Sequence, residues 1–113
     1  MTDEKKRKNE KNKRGNGKMK RIVKGLLYDT EKAEVVSKFE PLCDSTSYKW
    51  WSETLYRTKK GNYFLYGRGM PLSKYPAKEV ITPLTSNEAF EWLAEHDPEK
   101  AIELFPEKHI EEA

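Results

Sequence analysis

The sequence predicts a small α+β domain with a small antiparallel sheet of about four strands around a central aromatic hairpin. One N-terminal and two C-terminal helices pack with it, in the order β-α-β-β-β-α-α. Three observations carry that expectation. Two aromatic-rich runs, residues 50–58 and 62–67, flank Lys59-Lys60-Gly61, where a glycine stands at a turn position that calls for positive φ. Thr85-Ser86-Asn87-Glu88 is a capping box ahead of Ala89, Trp92, Leu93 and His96 at helical spacing. The first 21 of the 113 residues hold only Met1 and Met19 of the apolar residues and none of the aromatics. Residues 1–19 are therefore expected to be a disordered basic arm, and residues 20–113 a single α+β domain.

Taken in order, residues 20–28 (KRIVKGLLY) read as a strand, with Ile22 and Val23 β-branched. Asp29-Thr30 offers an N-cap for a helix over 31–39, where Ala33, Val36 and Phe39 fall on one stripe. Pro41 ends that helix, and a loop follows that contains Cys43. In the hairpin strands, Phe64 and Tyr66 face one way while Tyr63 and Leu65 face the other. Gly69, Pro71 and Pro76 punctuate a loop over 68–78, and residues 79–84 form a short strand that Pro83 ends or confines to a sheet edge. A helix over 87–96 follows the capping box. Asp97-Pro98 then supplies an N-cap and a first-turn proline for a last helix, with Ala101, Ile102 and Phe105 inward and Pro106 as its stop.

Composition excludes several classes. No apolar run approaches the ~18 residues of a membrane span, and the charged N-terminus lacks the apolar stretch of a signal peptide. One cysteine forms no internal disulfide, which fits a reducing, cytoplasmic setting. With one Cys and the two histidines His96 and His109, no pair has metal-ligand spacing, so no metal or cofactor is expected. Catalytic patterns are weak as well. Cys43 has no evident base, residues 22–113 contain no Asp/Glu-x-Lys triplet, and Gly67-Arg68-Gly69 is only a fragment of a phosphate-cradling loop. His96 reads as a half-buried packing or capping residue. The chain is expected not to be an enzyme.

The formal net charge of +3 conceals a strong gradient. Residues 1–21 carry +7, residues 22–86 +3, and residues 87–113 −7. Lys5, Lys6, Arg7, Lys8, Lys11, Lys13 and Arg14 form a segment suited to non-specific contact with RNA or DNA through counterion release. The same segment also reads as a solubilising extension, since Met19-Lys20-Arg21-Ile22 looks like a protein start. Eight aromatics between Tyr48 and Tyr75, interleaved with Arg57, Lys59, Lys60 and Arg68, fit either a stacking platform for single strands or an aromatic-rich core. Residues 60–66 partly match the strand motif of RNA-binding domains, departing from it at Asn62 and Tyr63.

A longer pattern adds a family. Leu27-Tyr28-Asp29-Thr30, the run from Ser52 through Gly67, Leu72-Ser73-Lys74-Tyr75, Ile81-Thr82-Pro83-Leu84, and Glu88-Ala89 with Trp92-Leu93 form one succession over residues 20–95. It resembles small proteins carried on plasmids and prophages of Gram-positive bacteria, some relatives of which are anti-CRISPR inhibitors of type II RNA-guided nucleases. Where relatives often carry Gly-Glu-Gly-Gly after the hairpin, this chain has Gly67-Arg68-Gly69-Met70. The resemblance implies a CRISPR effector nuclease as protein partner in a bacterial host. Its basic nucleic-acid channel would meet Glu88, Glu91 and Glu95, while the hairpin supplies Arg57, Lys59, Lys60, Tyr66 and Arg68. Arg57 and Arg68 are both expected to be exposed beside the turn. The alternative expectation is a nucleic-acid-binding accessory protein of a mobile element, acting through the arm and the hairpin aromatics.

Overall fold

Lys24-Gly25 folds the first apolar run back on itself. The computed structural model describes residues 19–41, 47–76 and 78–113. In it residues 20–28 are not one strand but two, β1 (Lys20–Val23) and β2 (Leu26–Asp29), paired antiparallel with Val23 opposite Leu26. Both turn residues have positive φ, 52° at Lys24 and 79° at Gly25, the backbone of a two-residue hairpin whose twist matches its strands.

The expected helix over 31–39 is a strand, β3 (Glu34–Phe39). The cap signal is genuine but closes a single turn. The Asp29 carboxylate accepts from Glu31 N–H, and its carbonyl accepts from the amides of Lys32 and Ala33. Val35 and Val36 then favour extended backbone, and pairing with the next strand decides the outcome. A bulge between Val35 and Ser37 explains the misleading spacing. The extra residue lets Val36 pack beneath the helices while Phe39, three positions on, stacks on Trp51 and His96 of the same layer. The observed order is therefore ββββββαα, within the expected α+β class.

β3, β4 (Trp51–Arg57), β5 (Tyr63–Gly69) and β6 (Glu79–Leu84) form one antiparallel sheet in sequence order. Between β4 and β5, Thr58 N–H donates to the Asn62 carbonyl and Gly61 N–H to that of Thr58, with Gly61 at φ 90° as the turn chemistry requires. Helices α1 (Ser86–His96) and α2 (Pro98–Leu104) cover one face of the sheet. Thr85 and Glu88 close the capping box reciprocally at 3.1 and 2.8 Å. Asp97 caps α2, and its carboxylate also accepts from Ser37 Oγ at 2.8 Å, fixing the helix junction to β3.

Alternation along the strands builds two cores. Leu55, Tyr63 and Leu65 meet Ala89, Leu93, Ala101 and Phe105 on the helical face. Tyr56, Phe64, Tyr66 and Ile81 point the other way and are roofed by Tyr28, Val23, Met19 and Ala33 of the N-terminal hairpin and the turn after it. Phe64 stacks on Tyr56 at 5.0 Å and takes the edge of Tyr28 at 5.6 Å. Arg21 Nη1 clamps this roof to the sheet by donating to the Ile81 carbonyl.

Gly61→Val adds a β-carbon at positive φ, so a thermal or urea melt is expected to report a loss of about 1 kcal/mol or more. A melt equal to that of the parent protein would mean that the turn does not depend on this conformation.

Candidate functional site

Glu53 is a polar side chain of the sheet held by three partners. It sits on β4 between Trp51 and Leu55 and so faces the helical layer, where it is 1% exposed. Such a burial is costly unless every oxygen finds donors. Oε1 accepts from Trp92 Nε1 at 2.8 Å; Oε2 accepts from Tyr75 Oη at 2.5 Å and pairs with Lys74 Nζ at 2.7 Å. Gly67 lies directly across the ladder from Glu53, and a β-carbon there would fall inside the Tyr75 ring. The missing side chain is what lets Tyr75 lie flat over β5 and reach the carboxylate. Lys74 completes the cluster over the rings of Trp51 and Tyr75, 5.2 and 5.8 Å from their centroids.

Burial alone would raise the Glu53 carboxyl pKa. Donation from Lys74, Trp92 and Tyr75, with the charge of Lys74, outweighs burial and holds it below its ordinary value. Burial raises the Tyr75 phenol, and the carboxylate it donates to raises it further. Both oxygens of Glu53 are occupied by these donors. The carboxylate binds the β5–β6 loop and α1 to the sheet.

The residues singled out from the sequence fall in separate places. Lys59 and Lys60 are exposed on the hairpin turn, and Arg57, also exposed, stands at the end of β4 beside it. Arg57 lies over Tyr63 at 5.9 Å. Arg68 does not join them. It pairs across from Ser52 and Glu79, five residues along β5 from Tyr63, which is about 16 Å of strand, and is half-buried over the Trp50 ring. Tyr66 is withdrawn from the surface set: it is buried on the hairpin-covered face, and its hydroxyl donates to Glu79 Oε1 at 2.6 Å. Tyr56, Tyr63 and Phe64 are buried too, so this part of the sheet presents no stacking platform. His96 packs against Phe39 and Trp92, as its position on the helix stripe suggests. Lys5, Lys6, Arg7, Lys8, Lys11, Lys13, Arg14 and Cys43 lie outside the described residues.

Glu88, Glu91 and Glu95 are all exposed and share one face of α1 at i, i+3 and i+7. Glu99 and Glu103 extend the same charge along α2, where Lys100 stands 4.0 Å from Glu103. On the opposite side of the sheet, a cleft of about 310 Å³ opens between β2 and the β4–β5 turn. Leu26, Leu27 and Ala33 line it below Lys32, Lys59 and Lys60. Among the described residues, no group of three or more His, Cys, Asp or Glu side chains is placed to hold a metal, and no helix is long and apolar enough to cross a membrane.

Comparison with protein-family models, curated proteins and solved structures gives no match.

The Glu53 cluster was legible only in part. A glutamate at the inward position of an aromatic strand, opposite a glycine, marks a buried charge. Its donors lie 22 and 39 residues away, beyond any local pattern. Because the folded state holds Glu53 below its unfolded pKa, its contribution is fully present above the unfolded value. It is lost as pH falls through the folded one. Stability is therefore expected to drop on acidification below about pH 4.5. Glu53→Gln removes that component of the pH dependence and costs about 1–3 kcal/mol at neutral pH, since the amide turns a donor toward Lys74 or Tyr75. Paired urea titrations at pH 7 and pH 4 read both effects, and an unchanged pH slope in the variant would assign the acid sensitivity elsewhere.

Proposed function

We propose that this chain is a non-enzymatic binding protein that inhibits a type II RNA-guided DNA nuclease, with the acidic helical layer as its contact surface. The observation that carries the reading is the exposed row Glu88, Glu91 and Glu95 on α1, continued by Glu99 and Glu103 on α2. The β-carbons of residues three and four apart on a helix stand about 5–6 Å from one another, so these glutamates are neighbours on one face. The ridge thereby offers a basic channel a row of negative charge in place of its nucleic-acid backbone. Neighbouring helix residues are locked by the capping box and by Trp92, which keeps the ridge in register with the sheet. The family resemblance over residues 20–95 points to the same class of partner. The accessory-protein alternative draws less support, because the hairpin aromatics it relies on are spent on the two cores.

The test is target-DNA cleavage by a panel of type II nucleases, each loaded with guide RNA and challenged with a molar excess of the full chain. At least one nuclease is expected to lose cleavage. Glu91→Lys with Glu95→Lys is expected to restore it by tenfold or more, about 1.4 kcal/mol of binding, while shifting stability by no more than ~0.5 kcal/mol. Glu88 is left intact because it caps α1. Full cleavage across the whole panel would remove this function. Inhibition that survives the double reversal would move the contact away from the helices.

A further inference from the structure

Trp50 poses an unanswered hydrogen-bonding question. The residue is 7% exposed, and its indole Nε1 is buried with no acceptor among the described residues. An unmade bond at a buried donor is expensive, and native structures leave few such groups without a partner. Trp50 lines a cleft of about 330 Å³ with Arg68, Gly69, Met70, Lys78 and Glu79, on the sheet face that the N-terminal hairpin roofs. The guanidinium of Arg68 lies over the indole, 5.3 Å from the ring centroid, and also reaches the Tyr66 hydroxyl; among the described residues no carboxylate pairs with it within 4 Å. Glu79, its cross-strand neighbour, instead accepts from the Tyr66 hydroxyl.

We propose that this cleft binds a carboxylate, with the Trp50 indole N–H and the Arg68 guanidinium as its donors and Lys78 as a second cation at the rim. Three features select this chemistry. The orphaned group is a donor, so the ligand must bring an acceptor. The charges of Arg68, Lys78 and Glu79 sum to a single positive charge, which matches a monoanion better than a phosphate dianion. A planar guanidinium stacked on an indole presents its edge to a planar carboxylate, giving a short charge-assisted pair. Met70 supplies apolar wall for whatever the carboxylate is attached to. The site is independent of the acidic helices, which lie across the sheet.

The probe is benzoate, with benzamide as its neutral isostere and inorganic phosphate as the dianion, titrated at constant ionic strength into the full 15N-labelled chain. The indole N–H resonance of Trp50, assigned through Trp50→Phe, is expected to move downfield and saturate with benzoate. It should stay in place with benzamide and respond more weakly to phosphate. Arg68→Gln is expected to weaken benzoate by about tenfold or more. Trp50→Phe replaces the indole with a smaller ring and deletes the N–H, so benzoate binding is expected to fall, while the lost volume lowers the melt on its own account. An unmoved indole resonance would overturn the proposal, as would an equal response to benzamide or full affinity in Arg68→Gln. Tighter phosphate than benzoate overturns the carboxylate assignment.

Discussion

A carboxylate inside an aromatic sheet has to be answered from several directions at once, and the answer given to Glu53 organises much of this molecule. Taking an ion of that size out of water costs several kcal/mol, which one partner seldom repays. Here the donors come from two further segments: Lys74 and Tyr75 from the β5–β6 loop and Trp92 from α1. Each segment is thereby fixed relative to β4 by a bond whose loss leaves a buried charge exposed to apolar surroundings. Gly67 follows from the same demand, since any side chain there would evict the Tyr75 ring. The cluster is asymmetric in its consequences. It adds modestly to stability when intact, and breaking one arm is costly because the rest stays desolvated.

The second constraint is that both faces of the four-stranded sheet are covered. Antiparallel sheets commonly leave one face to water. Here Tyr56, Phe64, Tyr66 and Ile81 need a roof, and a four-residue-per-strand hairpin supplies it. That roof is small, and it leaves Ile22, Leu26 and Leu27 exposed. The concentration of tyrosines is explained by the arrangement: their rings fill the layers while the hydroxyls of Tyr66 and Tyr75 reach the carboxylates of Glu79 and Glu53. An aromatic hairpin of this kind reads as a ligand platform in sequence and serves as packing in the fold.

The elements with strong local determinants were the legible ones. Gly61, the capping box at Thr85 and the Asp97-Pro98 start each act within four residues and each appears as the sequence implies. The opposite alternation of Phe64 and Tyr66 against Tyr63 and Leu65 was legible for the same reason, although the sequence did not show that both sets would be core. Two errors have physical causes. Gly25 looks like an incidental strand glycine until Lys24 is seen to adopt positive φ beside it. Val36 and Phe39 mimic a helical stripe because a bulge inserts one residue between strand positions. Strand pairing overrode a weak helix start, as long-range contacts do where propensity is nearly balanced. The site was less legible than the fold. Exposure of Arg57, Lys59 and Lys60 follows from the turn, whereas the burial of Tyr66 and the seat of Arg68 on Trp50 depend on packing from other segments.

Charge is distributed across the sheet rather than along it, and this bears on how one small domain meets a partner. The helical layer and the residues after it, 87–113, carry −7, while Lys20, Arg21, Lys24 and Lys32 place the N-terminal hairpin layer on the positive side. Packed layers stand about 10 Å apart, so the two charged surfaces are separated by roughly 20 Å through a desolvated sheet. At physiological salt the Debye length is about 8 Å, so each surface is felt by an approaching molecule with little cancellation from the other. A modest overall charge is then a poor guide to association. A basic groove meeting α1 and α2 encounters a strongly acidic protein, and a polyanion meeting the hairpin side encounters a basic one. Orientation, rather than total charge, is what such a distribution selects, because a partner that arrives on the wrong layer is repelled before any apolar contact forms.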